Sequence, residues 1–235
     1  MKLSIVLGAL ALTTGTALGG AIVTHEDSFL AFGATMPYGS GNSNSNFTIA
    51  RNSDTFGDIE IGLKAKERYV GDLTTNGAGR YYAPAGSPTN DGISSWNIDF
   101  AFALSQNAIP ANYSLILSVD FDAGFGTQSW VTLDITQTLQ NFFLNTSSGG
   151  DSQNLNFSFW STSTSGLFNR ELDATNYMAF DANAFGEYDI NLSLRDAAGA
   201  MLAESAIVVE VVPTPGSMAL LGLGGLAAVR RRRRR

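Results

Sequence analysis

The sequence predicts an all-β protein whose body is an antiparallel β-sandwich. Apolar and polar residues alternate with a period of two in about ten short segments, which is typical of strands with one buried and one solvated face. Clusters of Gly, Asn, Ser and Asp separate these segments, as turns between strands do. Amphipathic helical patterns are scarce, and the best candidate is a short helix over 135–143, where Ile135, Leu139 and Phe143 share a face.

Each predicted strand is a short alternating or apolar segment that ends at a turn signal. Of the roughly ten strands expected, the seven with the clearest pattern are, in chain order, 59–64, 96–104, 113–121, 130–134, 157–159, 188–195 and 202–212. Residues 39–46 and 147–152, rich in Gly, Ser and Asn, are predicted to be mobile loops. A separation into two lobes at the second loop is the alternative to one domain, which we favour because neither half shows a core of its own.

The last two predicted strands form a hairpin around the tight turn Asp196–Gly199. This pattern resembles the terminal hairpin of immunoglobulin-like extracellular modules. The resemblance implies an immunoglobulin-like or jelly-roll-like sandwich. Such folds host many functions, so the likeness does not select one.

Composition excludes several kinds of site. The 235-residue chain has no Cys and one His, which excludes disulfides, thiolate nucleophiles, zinc–cysteine centres and any site that needs two histidines. Residues 20–212 carry 7 basic and 21 acidic residues, a net charge of −14. Nucleic-acid binding is therefore not expected, because phosphates require a cationic face. No cofactor is indicated.

The N-terminus has the three parts of a secretory signal peptide. Lys2 supplies the positive charge, residues 3–12 form a short apolar run, and the small residues Ala17 and Gly19 stand at −3 and −1 of a cleavage site. The apolar run is shorter than the roughly 20 residues of a membrane span. A buried N-terminal strand or helix is the alternative. We expect a signal peptide over 1–19 and a sandwich body over 20–210.

The C-terminus, residues 211–235, has three successive parts. Pro213, Thr214, Pro215 and Gly216 form a Pro-Thr-Pro motif that stops strand pairing. Residues 217–229 are apolar and are predicted to form a short transmembrane helix, which flanking arginines can hold in the membrane. The chain ends in six arginines, Arg230–Arg235, which would stay in the cytoplasm and leave the body outside.

This tail resembles the PEP-CTERM sorting signal of Gram-negative bacteria, which consists of a Pro-Glu-Pro-type motif, a transmembrane helix and an Arg-rich end. Here Thr214 replaces the usual Glu. The resemblance implies partners: the export machinery, an exosortase-like membrane transpeptidase and the inner membrane, with transient anchoring before release to the cell surface or biofilm matrix. The tail is a sorting signal and says nothing about the activity of the body.

Carboxylates offer the only catalytic chemistry to consider. His25, the single histidine, is expected to be solvated or on an edge strand rather than in a catalytic triad. Asp120 and Asp122 are predicted to share one face of a strand. Asp181, Glu187 and Asp189 lie near the start of another. Such pairs could hydrolyse glycosides, although acids on a solvent face are the default reading.

Calcium and sugars are two further ligand classes that the residue types allow. The segments 120–124 and 181–183 have some of the oxygen spacing that calcium needs, but neither completes a calcium loop, and no metal ligand is assigned. Exposed aromatic side chains could stack on sugars, although at least two of the three tryptophans are expected in the core. The aromatic candidates are Trp96, Trp130, Trp160, Tyr81 and Tyr82.

The sequence therefore favours an exported, non-enzymatic surface or extracellular-matrix protein. The alternatives are an extracellular polysaccharide-binding module and a carboxylate-dependent glycoside hydrolase. No catalytic, cofactor-binding or metal-binding residue is assigned. The assigned residues are those of the sorting motif, 213–216, and of the cleavage region, Ala17 and Gly19.

Overall fold

The fold is all-β, as predicted. The computed structural model describes residues 21–36, 42–54, 57–89, 92–105, 113–124, 129–136, 148–157, 160, 169–172 and 179–213. Within these residues there are thirteen strands: β1 Ile22–Asp27, β2 Phe47–Asp54, β3 Gly57–Glu67, β4 Gly71–Asp72, β5 Thr74–Thr75, β6 Arg80–Pro84, β7 Trp96–Leu104, β8 Ser114–Asp120, β9 Trp130–Asp134, β10 Ser148–Gln153, β11 Asn169–Leu172, β12 Gly186–Arg195 and β13 Met201–Val212.

The described strands form two sheets. The first has the order β1-β2-β3-β7-β10, with β4 paired to β3, and the second has the order β11-β9-β8-β12-β13-β6-β5. The first sheet is antiparallel throughout. The second is mixed, because β6 runs parallel to β13, with Val208 opposite Arg80. The prediction of an antiparallel fold is therefore wrong at this pair. Apolar and polar residues alternate in the same way in parallel and antiparallel strands, so the pattern does not reveal the direction of a strand.

The strongest sequence patterns are confirmed as strands. Predicted strands 96–104 and 130–134 coincide with β7 and β9, and 188–195 lies within β12. The weakest prediction, 157–159, is wrong at its first residue, because Phe157 lies in a turn in which its N–H donates to Asn154 O. Residues 158 and 159 lie outside the described part of the chain, as do 137–143 of the predicted helix.

The main core lies between the two sheets. Inward-facing residues alternate along the strands, as in β12, where Tyr188, Ile190 and Leu192 are buried. The sheets are also joined by hydrogen bonds: Ser205 Oγ on β13 donates to Thr48 O on β2 at 2.7 Å. One continuous cluster of buried apolar residues includes both sheets, so the described residues share a core.

The predicted terminal hairpin of β12 and β13 is confirmed. The two strands pair over ten positions, from Gly186 opposite Val211 to Arg195 opposite Met201. Asp196 closes the turn, because its Oδ1 accepts the N–H groups of both Ala198 and Ala200. This carboxylate replaces backbone partners that the tight turn cannot supply.

Residues 148–152 of the predicted loop instead belong to strand β10, and residue 147 lies outside the described part of the chain. The backbone of β10 pairs with the edge of β7, from Ser148 opposite Ala103 to Gln153 opposite Ile98. Gly149 and Gly150 are buried in this pairing. Backbone hydrogen bonding to an available strand edge overrides the weak strand propensity of Gly and Ser. The described part of the segment is therefore a strand of the first sheet.

A second, smaller core lies on the outer face of the first sheet. Residues 28–36 and 42–46, the cover segment, pack there through Phe29, Phe32 and Met36, against Phe47 and Ala101. The described part of the other predicted loop, 42–46, belongs to this segment and is anchored. Its Asn44 side chain accepts the Phe29 N–H and donates to Phe29 O, at 2.8 and 2.9 Å.

The predicted ends of the chain lie outside the described residues. This applies to the signal peptide with Ala17 and Gly19, to Thr214, Pro215 and Gly216, and to the helix and arginines over 217–235. Pro213 is described and exposed, directly after β13. Within the described ranges, no helix has the length and apolar character required to cross a membrane.

Candidate functional site

A polar pocket of about 360 Å³ opens on the outer face of the first sheet. Alternation along β3 places Leu63 and Ala65 in the main core, and the two lysines beside them, Lys64 and Lys66, therefore face outward. The pocket lies between these lysines, the β3–β4 turn and the cover segment. Asn97 of β7 and Ser152 of β10 also line it.

Lys64 ties the cover segment to the wall of the pocket. Its ammonium group is fully buried and donates to Asp72 Oδ1 at 2.8 Å and to Ser43 O at 2.8 Å. It also lies 4.8 Å from the centre of the Phe47 ring, a cation–π contact. Because Lys64 has so many partners, it stabilises the fold. The hydrogen-bond acceptors around it offset the free-energy cost of burying its charge.

Asp99 and Lys66 form a poorly satisfied pair at the base of the pocket. Asp99 is fully buried on β7, and Lys66 Nζ lies 3.5 Å from its Oδ1. Neither carboxylate oxygen accepts a hydrogen bond of normal geometry from a described residue. Burial raises the pKa of Asp99, and the nearby Lys66 charge offsets this only in part. Lys66 Nζ also donates to Asn42 Oδ1.

Asp99 is fully buried and lies next to residues that line the pocket, without lining it itself. In the strand register it lies opposite Lys64 on one side and Ser152 on the other, and both of these residues line the pocket. Asn97, two positions earlier on the same face of β7, lines it as well. The orphaned carboxyl is thus enclosed by pocket residues on three sides.

An exposed aromatic ring stands at the rim of this pocket. Tyr69, in the turn between β3 and β4, is 78% exposed, and its neighbour Val70 is 74% exposed. The Tyr69 backbone is left-handed, with φ 66°, which is uncommon for a bulky residue. The Arg68 guanidinium stacks 4.6 Å from the ring centre and donates to the Tyr69 hydroxyl at 2.7 Å.

A larger groove of about 670 Å³ lies at the opposite end of the same face. Charged side chains at this groove form ion pairs and hydrogen bonds within the fold. Arg51 donates to Asp27 at 2.6 Å and to Glu60 at 2.7 Å, and Glu60 Oε2 accepts the Leu30 N–H at 3.1 Å. This network closes the connection from β1 to the cover segment, and we assign it no ligand.

The predicted acidic pair on the second sheet does not share a strand face. Strand β8 ends at Asp120, so Asp122 lies in the following turn and the prediction of one shared strand face is wrong. Asp120 is buried, and its Oδ1 accepts the N–H groups of Asp122 and Ser129, at 3.0 and 2.7 Å. These bonds make Asp120 a turn-forming carboxylate.

The other predicted acids also have structural contacts. Asp181 Oδ1 accepts the Asn183 N–H at 2.9 Å, and Glu187 pairs with Arg80. The pKa of Asp189 is raised, mainly by burial and then by the charge of Asp120. Among the described residues, no group of three or more acidic or histidine side chains is placed to hold a metal ion.

The predicted aromatic candidates divide between core and surface. Trp96, Trp160 and Tyr81 are buried, which confirms the expectation that at least two tryptophans are in the core. Trp130 and Tyr82 are half-buried on the outer face of the second sheet. His25 is exposed on edge strand β1, as expected, and its Nδ1 lies 3.1 Å from Thr48 Oγ1.

Sequence reasoning did not find the polar pocket. Its one local signal is the run Lys64-Ala65-Lys66, in which charges alternate with core residues at the end of an otherwise apolar strand. Asp99 stands in an apolar segment between Ile98 and Phe100, which also marks it as unusual. No protein-family model matches the chain, and no curated protein matches it in sequence.

Proposed function

We propose that this chain is an exported, non-enzymatic surface or extracellular-matrix protein that an exosortase-type system sorts through its C-terminal tail. The observation that carries the proposal is the position of the last described strand relative to the sorting motif. The closing strand β13 ends at Val212, and the exposed Pro213 begins the sorting motif. Pro213, the one described residue of the motif, is therefore open to a transpeptidase while β13 stays paired.

The charge distribution supports the same orientation. The arginine run 230–235 favours the cytoplasmic side of the membrane, and a body with a net charge of −14 has no basic cluster of that kind. We propose an immunoglobulin-like topology for the body, in keeping with the β12–β13 hairpin. Its rigid sheets would serve as a scaffold beyond the inner membrane.

A fusion reporter tests the sorting proposal. Residues 1–24 and 213–235 are placed on either side of a monomeric periplasmic reporter, in a host with an exosortase and in a strain lacking it. We expect membrane association in both and release only in the first. The matched control replaces Arg230–Arg235 with Gln and should lose anchoring. Full-length protein found in the cytosol with both ends intact would refute the proposal.

A second candidate function is binding of extracellular polysaccharide. The specific observation in its favour is the exposed ring of Tyr69 beside a pocket lined by amide, hydroxyl and charged groups. Sugar rings stack on exposed aromatic faces while their hydroxyl groups bond to such side chains. Affinity electrophoresis in gels that contain soluble polysaccharides tests it, because binding retards the protein.

A further inference from the structure

We propose that the polar pocket binds a neutral sugar ring of a polysaccharide, with Tyr69 as the stacking platform. The inference rests on the second candidate function and names its site and ligand class. It depends on three features of the described residues: the balance of charge in the pocket, the orphaned carboxyl of Asp99 and the backbone conformation of Tyr69.

The charge balance selects a neutral ligand. Three cations and three carboxylates line the pocket or lie at its base: Lys64, Lys66, Arg68, Glu67, Asp72 and Asp99. A hydroxyl group both donates and accepts hydrogen bonds, so it suits a site that offers both kinds of partner. A polyanion would meet a net charge of only +1 among the lining residues and would be repelled by the body's charge of −14.

The orphaned carboxyl supplies an unmet hydrogen-bonding group. Asp99 is fully buried, yet its two oxygens accept no hydrogen bond of normal geometry from the described residues. A buried polar group without partners costs free energy, and a native site that keeps one commonly uses it. Because Asp99 lies behind the pocket lining, a water held by a ligand hydroxyl would complete this group, beside Lys66 and Ser152.

The Tyr69 backbone points to a role outside folding. A left-handed conformation suits Gly or Asn, and a bulky residue there carries a strain that must be offset. The ring is 78% exposed, so packing within the fold contributes little to the offset. Arg68 holds the ring in place, which lowers the entropy lost when a ligand stacks on it.

The pocket volume of about 360 Å³ suits one sugar ring with bound water.

The test compares variants of the full chain in mild detergent by affinity electrophoresis. The gels contain dextran, a mixed-linkage β-glucan, galactomannan or alginate, the last being polyanionic. Tyr69→Gly removes the ring and relieves the backbone strain, so its melting temperature should equal or exceed that of the wild type. Tyr69→Phe keeps the ring. Phe185→Ala is the matched control, because Phe185 is 57% exposed and does not line the pocket.

We expect at least one neutral polysaccharide to retard the wild type, with Tyr69→Gly weakening the apparent affinity about tenfold. Tyr69→Phe and Phe185→Ala should bind within about threefold of the wild type. Equal binding by Tyr69→Gly would overturn this site while leaving polysaccharide binding in place. Retardation by alginate alone would overturn the neutral ligand class. No retardation in any gel would overturn both the site and the second candidate function, and would leave the sorting proposal standing.

Discussion

Gly62 of β3 is a position where the cover segment packs closely on the first sheet. A Cβ atom built on Gly62 would lie 2.8 Å from Phe29 Cζ, 3.0 Å from Phe29 Cε2 and 3.1 Å from Ile49 Cγ1. Because Phe29 is 1% exposed and packs edge-on against Phe47, its ring has little room to move. We therefore predict that Gly62→Ala destabilises the protein by overpacking.

The magnitude follows from the packing. Overpacking a core by one methyl group costs about 1–3 kcal/mol, and loss of glycine flexibility in the unfolded chain returns about 0.4–1 kcal/mol. The net expectation for Gly62→Ala is a loss of about 1–2 kcal/mol in the free energy of unfolding. Phe29→Leu removes the two ring atoms that clash, so Gly62→Ala should cost about 1 kcal/mol less in its presence.

Urea denaturation of the wild type, both single variants and the double variant measures this coupling. Gly33→Ala is the control. Gly33 lies in the cover segment, and a Cβ atom there would contact nothing within 4 Å. This variant should change stability by less than about 0.5 kcal/mol. The reasoning fails if Gly62→Ala is neutral, or if the two single effects add to within about 0.3–0.5 kcal/mol.

Three further predictions concern other parts of the described structure. Lys64→Met should lower the free energy of unfolding by about 3 kcal/mol, because it removes a fully buried cation from its acceptors, whereas the exposed Arg195→Met should change it by less than about 0.5 kcal/mol. Burial acts to raise the pKa of Asp27, but its hydrogen bonds, the largest from Arg51, lower it to about 2. The unfolded chain therefore binds the proton more readily, and the stability from Asp27 is lost as the pH falls from about 4 towards 2. Because this side chain is 36% exposed, the advantage of the wild type over Asp27→Asn should shrink by only about 1 kcal/mol between pH 5 and pH 2 in urea titrations. Gly186→Ala should cost at least about 3 kcal/mol, since its Cβ would lie 1.9 Å from Ala123 O, whereas Gly199→Ala, with open space around it, should cost about 1 kcal/mol from its backbone conformation alone; thermal melts compare the two.

Strands whose side chains alternate strongly could be predicted from sequence. In β12, Tyr188, Ile190 and Leu192 mark the buried face by themselves, because the period of two is a local property of an extended chain. The hairpin turn at Asp196 was predictable for the same reason, since Asp and Gly form turns through local hydrogen bonds.

Other strands depend on contacts that are distant in sequence. Strand β10 has the composition of a loop and becomes a strand because the edge of β7 offers backbone partners. The cover segment is anchored by Asn44, whose carboxamide bonds to backbone groups 11–15 residues away. The composition of either segment carries no trace of these partners.

The sequence by itself determined the all-β class and the strands with strong alternation, because composition and periodicity are local properties. Only the tertiary structure decided that β6 joins the sheet in parallel, that Lys64 and Asp99 share a face, and that Tyr69 stands in a left-handed turn above them. The physical reason is that a pocket is made by strand register and long-range packing. Both depend on residues that lie far apart in the chain.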